Sequence, residues 1–233
     1  MKIGLCSLTE IPPGKHNVRD PRLDAIHKIT NSKKKTCIQV ELTAEENLLD
    51  ADAILVLNDS QADLILKDLE FIQTRLERSQ DAQEKNLLEK LNSVLEKEEF
   101  IFNAGLSEED KAAISGYGLL TDKPVIAAAK DELQDIGSLL LRAVKESGFI
   151  SFFTTGEKES RAWLIKKGTN ARQAAGAIHS DIERGFIRAE IISLDDFMQA
   201  GGETQAKQAG KLRLEHKEYI MQDGDLANFR FNK

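Results

Sequence analysis

The stretch from Phe152 to Phe231 constrains this chain most, because its turn and helix signals leave few ways to fold it. It opens with Phe152-Phe153-Thr154-Thr155-Gly156, followed by Arg161-Ala162-Trp163-Leu164-Ile165, a short apolar strand. Lys166-Lys167-Gly168 turns the chain, and Thr169 stands as a helix N-cap, where a side-chain oxygen can accept from an otherwise unpaired backbone N–H. Ala171, Ala174, Ala175, Ile178 and Ile182 recur at helical spacing, so one narrow face packs down, and the small alanines let it lie close to a sheet. Gly185 ends this helix and Phe186 to Ile192 is the next strand. Beyond the Gly201-Gly202 break, Leu212 to Leu214 and Tyr219 to Met221 are short extended pieces. Asp223-Gly224-Asp225 is a turn, and Leu226 to Phe231 is a terminal strand with Phe229 and Phe231 on one face. This order of elements predicts a small β-grasp (ubiquitin-like) module over 151–233.

Upstream, Ile3 to Leu8 reads as a buried strand, and Thr9 to Val18 as a loop containing Pro12-Pro13-Gly14-Lys15. Asp20 caps a helix that has Pro21 at its first position and Leu23, Ile26 and Ile29 on its apolar side. The basic run Lys33-Lys34-Lys35 leads into a strand in which Ile38, Val40 and Leu42 alternate with polar residues. Asp52 to Leu57 is a nearly all-apolar, interior strand. Ile65, Leu69, Ile72 and Leu76, then Leu88, Leu91 and Leu95, make two helical seams separated by polar residues, which predicts an antiparallel α-hairpin over 63–100. Ser107 starts a short helix, Pro124 to Ala129 is a strand, and Ile136, Leu139, Leu140 and Ala143 line a helix ending at Gly148. The overall expectation is an α/β region over 1–62 and 101–150, the hairpin, and the C-terminal module.

A chain of 233 residues that is 41% hydrophobic can bury a real core. No apolar run approaches a membrane span, and Met1-Lys2-Ile3 leads directly into a strand, so a cytoplasmic protein is expected. Cys6 and Cys37 both fall in expected strands, which fits buried thiols in a reducing compartment. The net charge of −7 argues against indiscriminate nucleic-acid binding. From residue 151 onward there are 13 Lys+Arg against 12 Asp+Glu, and 19 against 27 before it, so the C-terminal module can present local cations. His16, His27, His179 and His216 show no metal-ligand spacing, and no nucleophile–base arrangement is evident. No catalytic or metal site is expected. Asp195-Asp196 reads as a helix start rather than a Mg²⁺ site.

Two stretches, FFTTGEKESRAWLIKKGTNARQAAGAIHSDIERGFIRAEII (152–192) and KLRLEHKEYIMQDGDLANFRF (211–231), resemble the C-terminal TGS domain of the YchF/Obg-like ATPases. VRDPRLDAIHKI (18–29), DLILKDLEFIQTRLER (63–78) and LLTDKPVIAAAKDE (119–132) are similar to further family segments: the one after the first switch, the start of the helical hairpin, and the base-recognition strand. The resemblance implies a P-loop nucleotide-binding domain bearing the hairpin, a TGS domain, and association with ribosomes. Against the motif G-x-x-x-x-G-K-[ST], whose N–H groups cradle phosphate and whose hydroxyl holds Mg²⁺, Gly14-Lys15 is followed by His16, and Thr9 stands at the earlier glycine. Pro12 and Pro13 lack N–H donors. Only Thr43 to Asp50 occupies the place of the D-x-x-G switch, and Ala129 stands for the family's Asn, although Glu132 remains.

These departures lead to the expectation of a truncated, degenerate P-loop domain that is not an enzyme and needs no cofactor. The function expected is binding to the ribosome, to structured RNA, or to a protein partner through the hairpin. Lys166, Lys167, Arg172, Arg184 and Arg188 are the candidate RNA or partner contacts, although a plain solvated surface would carry the same residues. The alternative is a nucleotide-binding protein or weak ATPase that uses Gly14, Lys15 and Glu132 on ATP or GTP with Mg²⁺. A third possibility is a sensor of a small nucleotide on the C-terminal sheet.

Overall fold

Ile3 to Cys6 and Ala53 to Val56 are buried throughout, as strands inside a parallel sheet must be. The computed structural model to which they belong describes residues 1–232. In chain order its elements are β1 (Lys2–Cys6), β2 (Gly14–Val18), α1 (Pro21–Thr30), β3 (Lys34–Thr36), β4 (Ile38–Thr43), β5 (Ala53–Leu57), α2 (Gln61–Arg78), α3 (Ala82–Leu95), α4 (Glu108–Ile114), β6 (Val125–Ala128) and α5 (Ile136–Glu146). There follow β7 (Phe149–Thr154), β8 (Glu159–Lys166), α6 (Ala171–Ile178), α7 (Ser180–Arg184), β9 (Phe186–Ile192), α8 (Leu194–Ala200), α9 (Glu203–Gln208), β10 (Arg213–Glu215) and β11 (Leu226–Phe231). The fold is mixed α/β with two sheets. Contacts divide the chain into two compact units: unit 1 is Met1–His16 with Val40–Leu139, and unit 2 is Asn17–Gln39 with Leu140–Lys233.

The five-stranded sheet has the order β2-β4-β1-β5-β6, with β1 parallel to β4 and β5, and β5 parallel to β6. Gly4 lies in β1 because a Cβ there would come within 2.5 Å of Leu48 Cδ2. The α2–α3 hairpin forms as its seams predict: Ile65 and Ile72 meet Leu88, Leu91 and Leu95. Each such buried leucine contributes about 2 kcal/mol of apolar transfer. The same core takes in Ile101, Leu106, Ile114 and Leu119, so the hairpin is not a bare arm. Asp68 on α2 is buried and accepts from the backbone N–H of Leu120 and Thr121 and from the Thr121 hydroxyl, at 2.7–3.0 Å, which fixes α2 to that loop.

Unit 2 is built on a six-stranded mixed sheet of order β10-β9-β11-β7-β8-β3. β11 is inserted parallel to β7 and antiparallel to β9. Ala171, Ala174 and Ala175 of α6 pack on Phe152, Ile165, Ala189, Ile191 and Phe229, the close helix-on-sheet contact the alanines allow. Phe152 stacks on Trp163 and meets Phe229 edge-on.

Residues 17–39, expected with the N-terminal α/β region, instead cluster with unit 2. The reason is a set of polar contacts that no local pattern encodes. Arg22 Nε and Nη2 donate to the buried Asp20 carboxylate at 3.0 and 2.8 Å, and Nη1 donates to Asp223 at 2.7 Å. Its guanidinium lies 5.4 Å from the Phe153 ring centroid. Burial works against this charge, yet the two carboxylates hold its pKa above the ordinary arginine range. β3 runs parallel to β8, and Ser32 and Thr30 reach Ser160 Oγ, both at 2.9 Å.

Other local expectations shift by a residue or an element. Gly14–Val18 is an edge strand rather than loop; in its polar GKHNV only Val18 is buried, so it carries no apolar alternation to read. The N-cap of α6 is Asn170, which accepts from Gln173 N, while Thr169 donates to the Lys166 carbonyl. The single helix expected to end at Gly185 is two, because His179 is extended and its ring caps α7 through Asp181 N. A register shift between Arg230 and Phe231 leaves Phe231 37% exposed instead of buried beside Phe229.

Replacing Arg22 with Ala leaves Asp20, with a side chain 1% exposed, without its cation. We expect a loss of about 3 kcal/mol, read by urea denaturation on the fluorescence of Trp163, the sole tryptophan. A loss below roughly 1 kcal/mol would show the cluster to be no more than a surface pair.

Candidate functional site

At the C-terminal end of β1, where a P-loop fold would turn into its phosphate cradle, the chain takes another course. Ser7 adopts a left-handed backbone (φ 54°), and its N–H donates to Glu45 Oε2 at 3.2 Å. The same carboxylate lies 3.9 Å from Cys6 Sγ and 3.5 Å from Lys67 Nζ. Burial, then the Glu45 charge, pushes the Cys6 thiol up from its ordinary value. The following loop leads to β2, a strand, so its N–H groups are not gathered at a helix N-terminus as phosphate binding requires.

Gly14 and Lys15 are exposed on β2, at one edge of the sheet. Glu132 lies past the end of β6, the other edge strand, and its carboxylate accepts from Ala129 N at 2.9 Å. β4, β1 and β5 stand between them, so the fold does not bring the three together. Tested against a Mg²⁺-nucleotide, the β1–β2 stretch does not fit. Pro12 and Pro13 offer no donors, His16 replaces the hydroxyl, and Ser7 N–H is taken by a carboxylate. Among the described residues no group of three His, Cys, Asp or Glu side chains could hold a metal ion.

Nearby, Glu45, Leu48, Lys67, Asp68, Phe71 and Tyr117 line a cleft of 310 Å³. On the hairpin beside it, Glu84 accepts from the Ser79 hydroxyl, from Tyr117 Oη at 2.7 Å and from Arg75 Nε at 2.7 Å. The Arg75 guanidinium sits 4.4 Å from the Tyr117 ring centroid. The three bonds to Ser79, Tyr117 and Arg75 depress the Glu84 carboxyl to about 2.

In unit 2 the cations singled out in the sequence are spread over several elements. Lys166 and Lys167 are exposed at the end of β8, and Arg188 is exposed on β9. Arg184 is bound to Asp181, and Arg172 Nε donates to the Glu183 carbonyl at 3.3 Å. Sequence reasoning missed Glu190 and Arg230. In register Arg188 stands opposite Arg230, and Glu190, 5% exposed, accepts from Arg230 Nε at 2.8 Å and from Asn228 at 2.9 Å. Burial pushes Glu190 up, but those donors outweigh it and hold the carboxyl below its ordinary range.

The family model YchF-GTPase_C, described as a protein of unknown function (DUF933), matches residues 149–232. A ribosome-binding ATPase YchF of Haemophilus ducreyi is 36% identical over 244 residues, covering 78% of this chain and 66% of that protein. One from Bacillus subtilis is 34% identical over 235 residues, covering 73% and 64%. The chain belongs to the YchF family. The Schizosaccharomyces pombe YchF GTPase superposes with a TM-score of 0.77 at 20% identity, over 99% of this chain and 97% of that one, so the YchF fold extends through both units. The expectation that the chain is not an enzyme is corrected here: its YchF relatives are named ATPases and its structural neighbour a GTPase, which points to an enzyme. This YchF chain spans about two-thirds of the length of those relatives, and the 244 aligned positions use 78% of it, so the alignment runs through gaps in this chain.

The depressed Glu84 carboxyl sets a pH dependence in α2–α3. Its folded pKa lies below the unfolded value near 4.5, so the contribution is complete above that value and is lost as pH falls from there toward about 2. Carboxyl NMR titration should find Glu84 still ionised at pH 3.5, and Glu84→Gln should flatten the acid-side stability slope. A midpoint of 4 or above would refute the bonded geometry.

Proposed function

We propose that this YchF-family chain binds the ribosome, with unit 2 as the contacting surface. The observation that carries the reading is that relatives aligned along most of the chain share the name ribosome-binding ATPase. The family-model match, in addition, falls wholly within unit 2. A TGS-type β-grasp module over 149–232 is part of the proposal. In its support are the β7–β8 hairpin, α6 packed across the sheet, and β11 inserted parallel to β7 at its centre. Lys166, Lys167 and Arg188 are the first contacts to ribosomal RNA in this reading. Arg172 and Arg184 join only on leaving Glu183 and Asp181. A protein partner on the α2–α3 hairpin is a narrower form of the same proposal, and the cytoplasm is the compartment it requires. No helix among the described residues is long and apolar enough to cross a membrane.

Wild-type protein should pellet with purified ribosomes through a sucrose cushion. Lys166→Glu with Lys167→Glu and Arg188→Glu should weaken this about tenfold or more at low salt. If the wild-type chain stays in the supernatant at 50 mM salt, the reading is wrong.

A second reading, ATP or GTP turnover with Mg²⁺, is favoured by the relatives' names. In this reading the β1–β2 stretch is a degenerate P-loop in which the exposed Lys15 side chain still reaches the phosphates. Its expected result is multiple-turnover phosphate release above the buffer blank that Lys15→Ala reduces. Release at the blank rate, or release indifferent to Lys15, counts against it.

A further inference from the structure

Formal charge divides sharply between the two units. Unit 1 carries 11 Lys+Arg against 24 Asp+Glu, a formal −13, while unit 2 carries 21 against 15, a formal +6. Most of that surplus is not in the C-terminal module. The 17–39 segment alone has 6 against 2, and 140–233 has 15 against 13. A module that reads as nearly neutral along the sequence thus becomes cationic once the distant segment is packed on it.

Several of these cations lie along one strand pair. β3 is the edge strand beside β8, with Lys34 opposite Glu159, Lys35 opposite Ser160 and Thr36 opposite Arg161. Lys33 N donates to the Glu157 carbonyl at 3.1 Å, which seats the start of the strand. Arg19, Lys33, Lys34 and Lys35 are all exposed. Lys35 is bound to Asp24, and Lys34, 69% exposed, lies 3.3 Å from Glu159. Glu159, the acid facing this strand, is also taken by the Thr36 hydroxyl. Arg19 and Lys33 have no acidic partner among the described residues. The Arg161 guanidinium carbon lies over Trp163, 3.9 Å from the ring centroid, and Arg161 stands opposite Thr36 of the edge strand.

Edge lysines also serve to block strand pairing, but that role does not need Arg161, which lies on β8. In a chain of net charge −7, a polyanion can be held only by a dense local cluster, since the overall field repels it. We propose that the edge made by Lys33, Lys34 and Arg161 holds the phosphate backbone of RNA, so that a segment remote in sequence completes the binding face of unit 2. This rests on the ribosome-binding reading above and names its RNA contact.

The test uses the full chain, with ribosome pelleting and with a labelled RNA hairpin titrated at graded KCl. Lys33→Gln with Lys34→Gln should weaken both by about tenfold, and the slope of log affinity against log salt should fall by roughly 1.5–2. Lys33→Arg with Lys34→Arg should bind as wild type. A Gln pair that binds normally overturns this inference and leaves ribosome binding standing. A wild-type chain that binds no ribosome overturns both. Binding that survives nuclease removal of RNA, or a Gln pair that aggregates while retaining affinity, assigns the lysines to protein docking or edge protection and overturns the RNA role.

Discussion

Arg22 is the residue on which the organisation of this chain turns. It is set by its own helix start, where Asp20 caps α1 and Pro21 occupies the first position, and it closes on Asp223 some two hundred residues later. Asp223 in turn accepts from Ser151 N at 3.0 Å, and Gly224 N donates to the Ser151 carbonyl at 2.8 Å, so the turn before β11 and the strand β7 are held by the same cluster. The buried Asp20 carboxylate is tolerable only with its cation in place, which makes the arrangement specific as well as stabilising. The consequence is that 17–39 is structurally part of the C-terminal unit. A family boundary at residue 149 describes sequence kinship and not the folded body.

Unit 1 is built on the buried strands that a parallel sheet demands. β1 and β5 are apolar, β4 alternates Ile38, Val40 and Leu42 with polar residues, and Gly4 admits Leu48 against the strand. The N–H at the end of β1, however, is bound by an internal carboxylate, and the next element is a strand.

The acidic total of the chain hides the feature most relevant to an RNA partner. Charge summed along the sequence describes solubility; charge summed over the folded units separates an acidic body from a cationic one. The Arg188–Arg230 register pair and the β3 edge both arise from strand pairing between segments far apart in the chain.

Much was decided by the sequence alone. The hairpin seams, the alanine face of α6, the Asp20-Pro21 helix start, the interior strands and the family all follow from periodicity, capping chemistry and long matched stretches, which are local or nearly so. What only the tertiary structure decided is where remote polar groups meet. No periodicity announces that Arg22 will reach Asp223, that polar GKHNV will pair as an edge strand, that His179 will break a helix by capping the next, or that a lysine run will border β8. These outcomes depend on hydrogen bonds and ion pairs between segments far apart in the chain, and their energy exists only once the chain has brought the partners together.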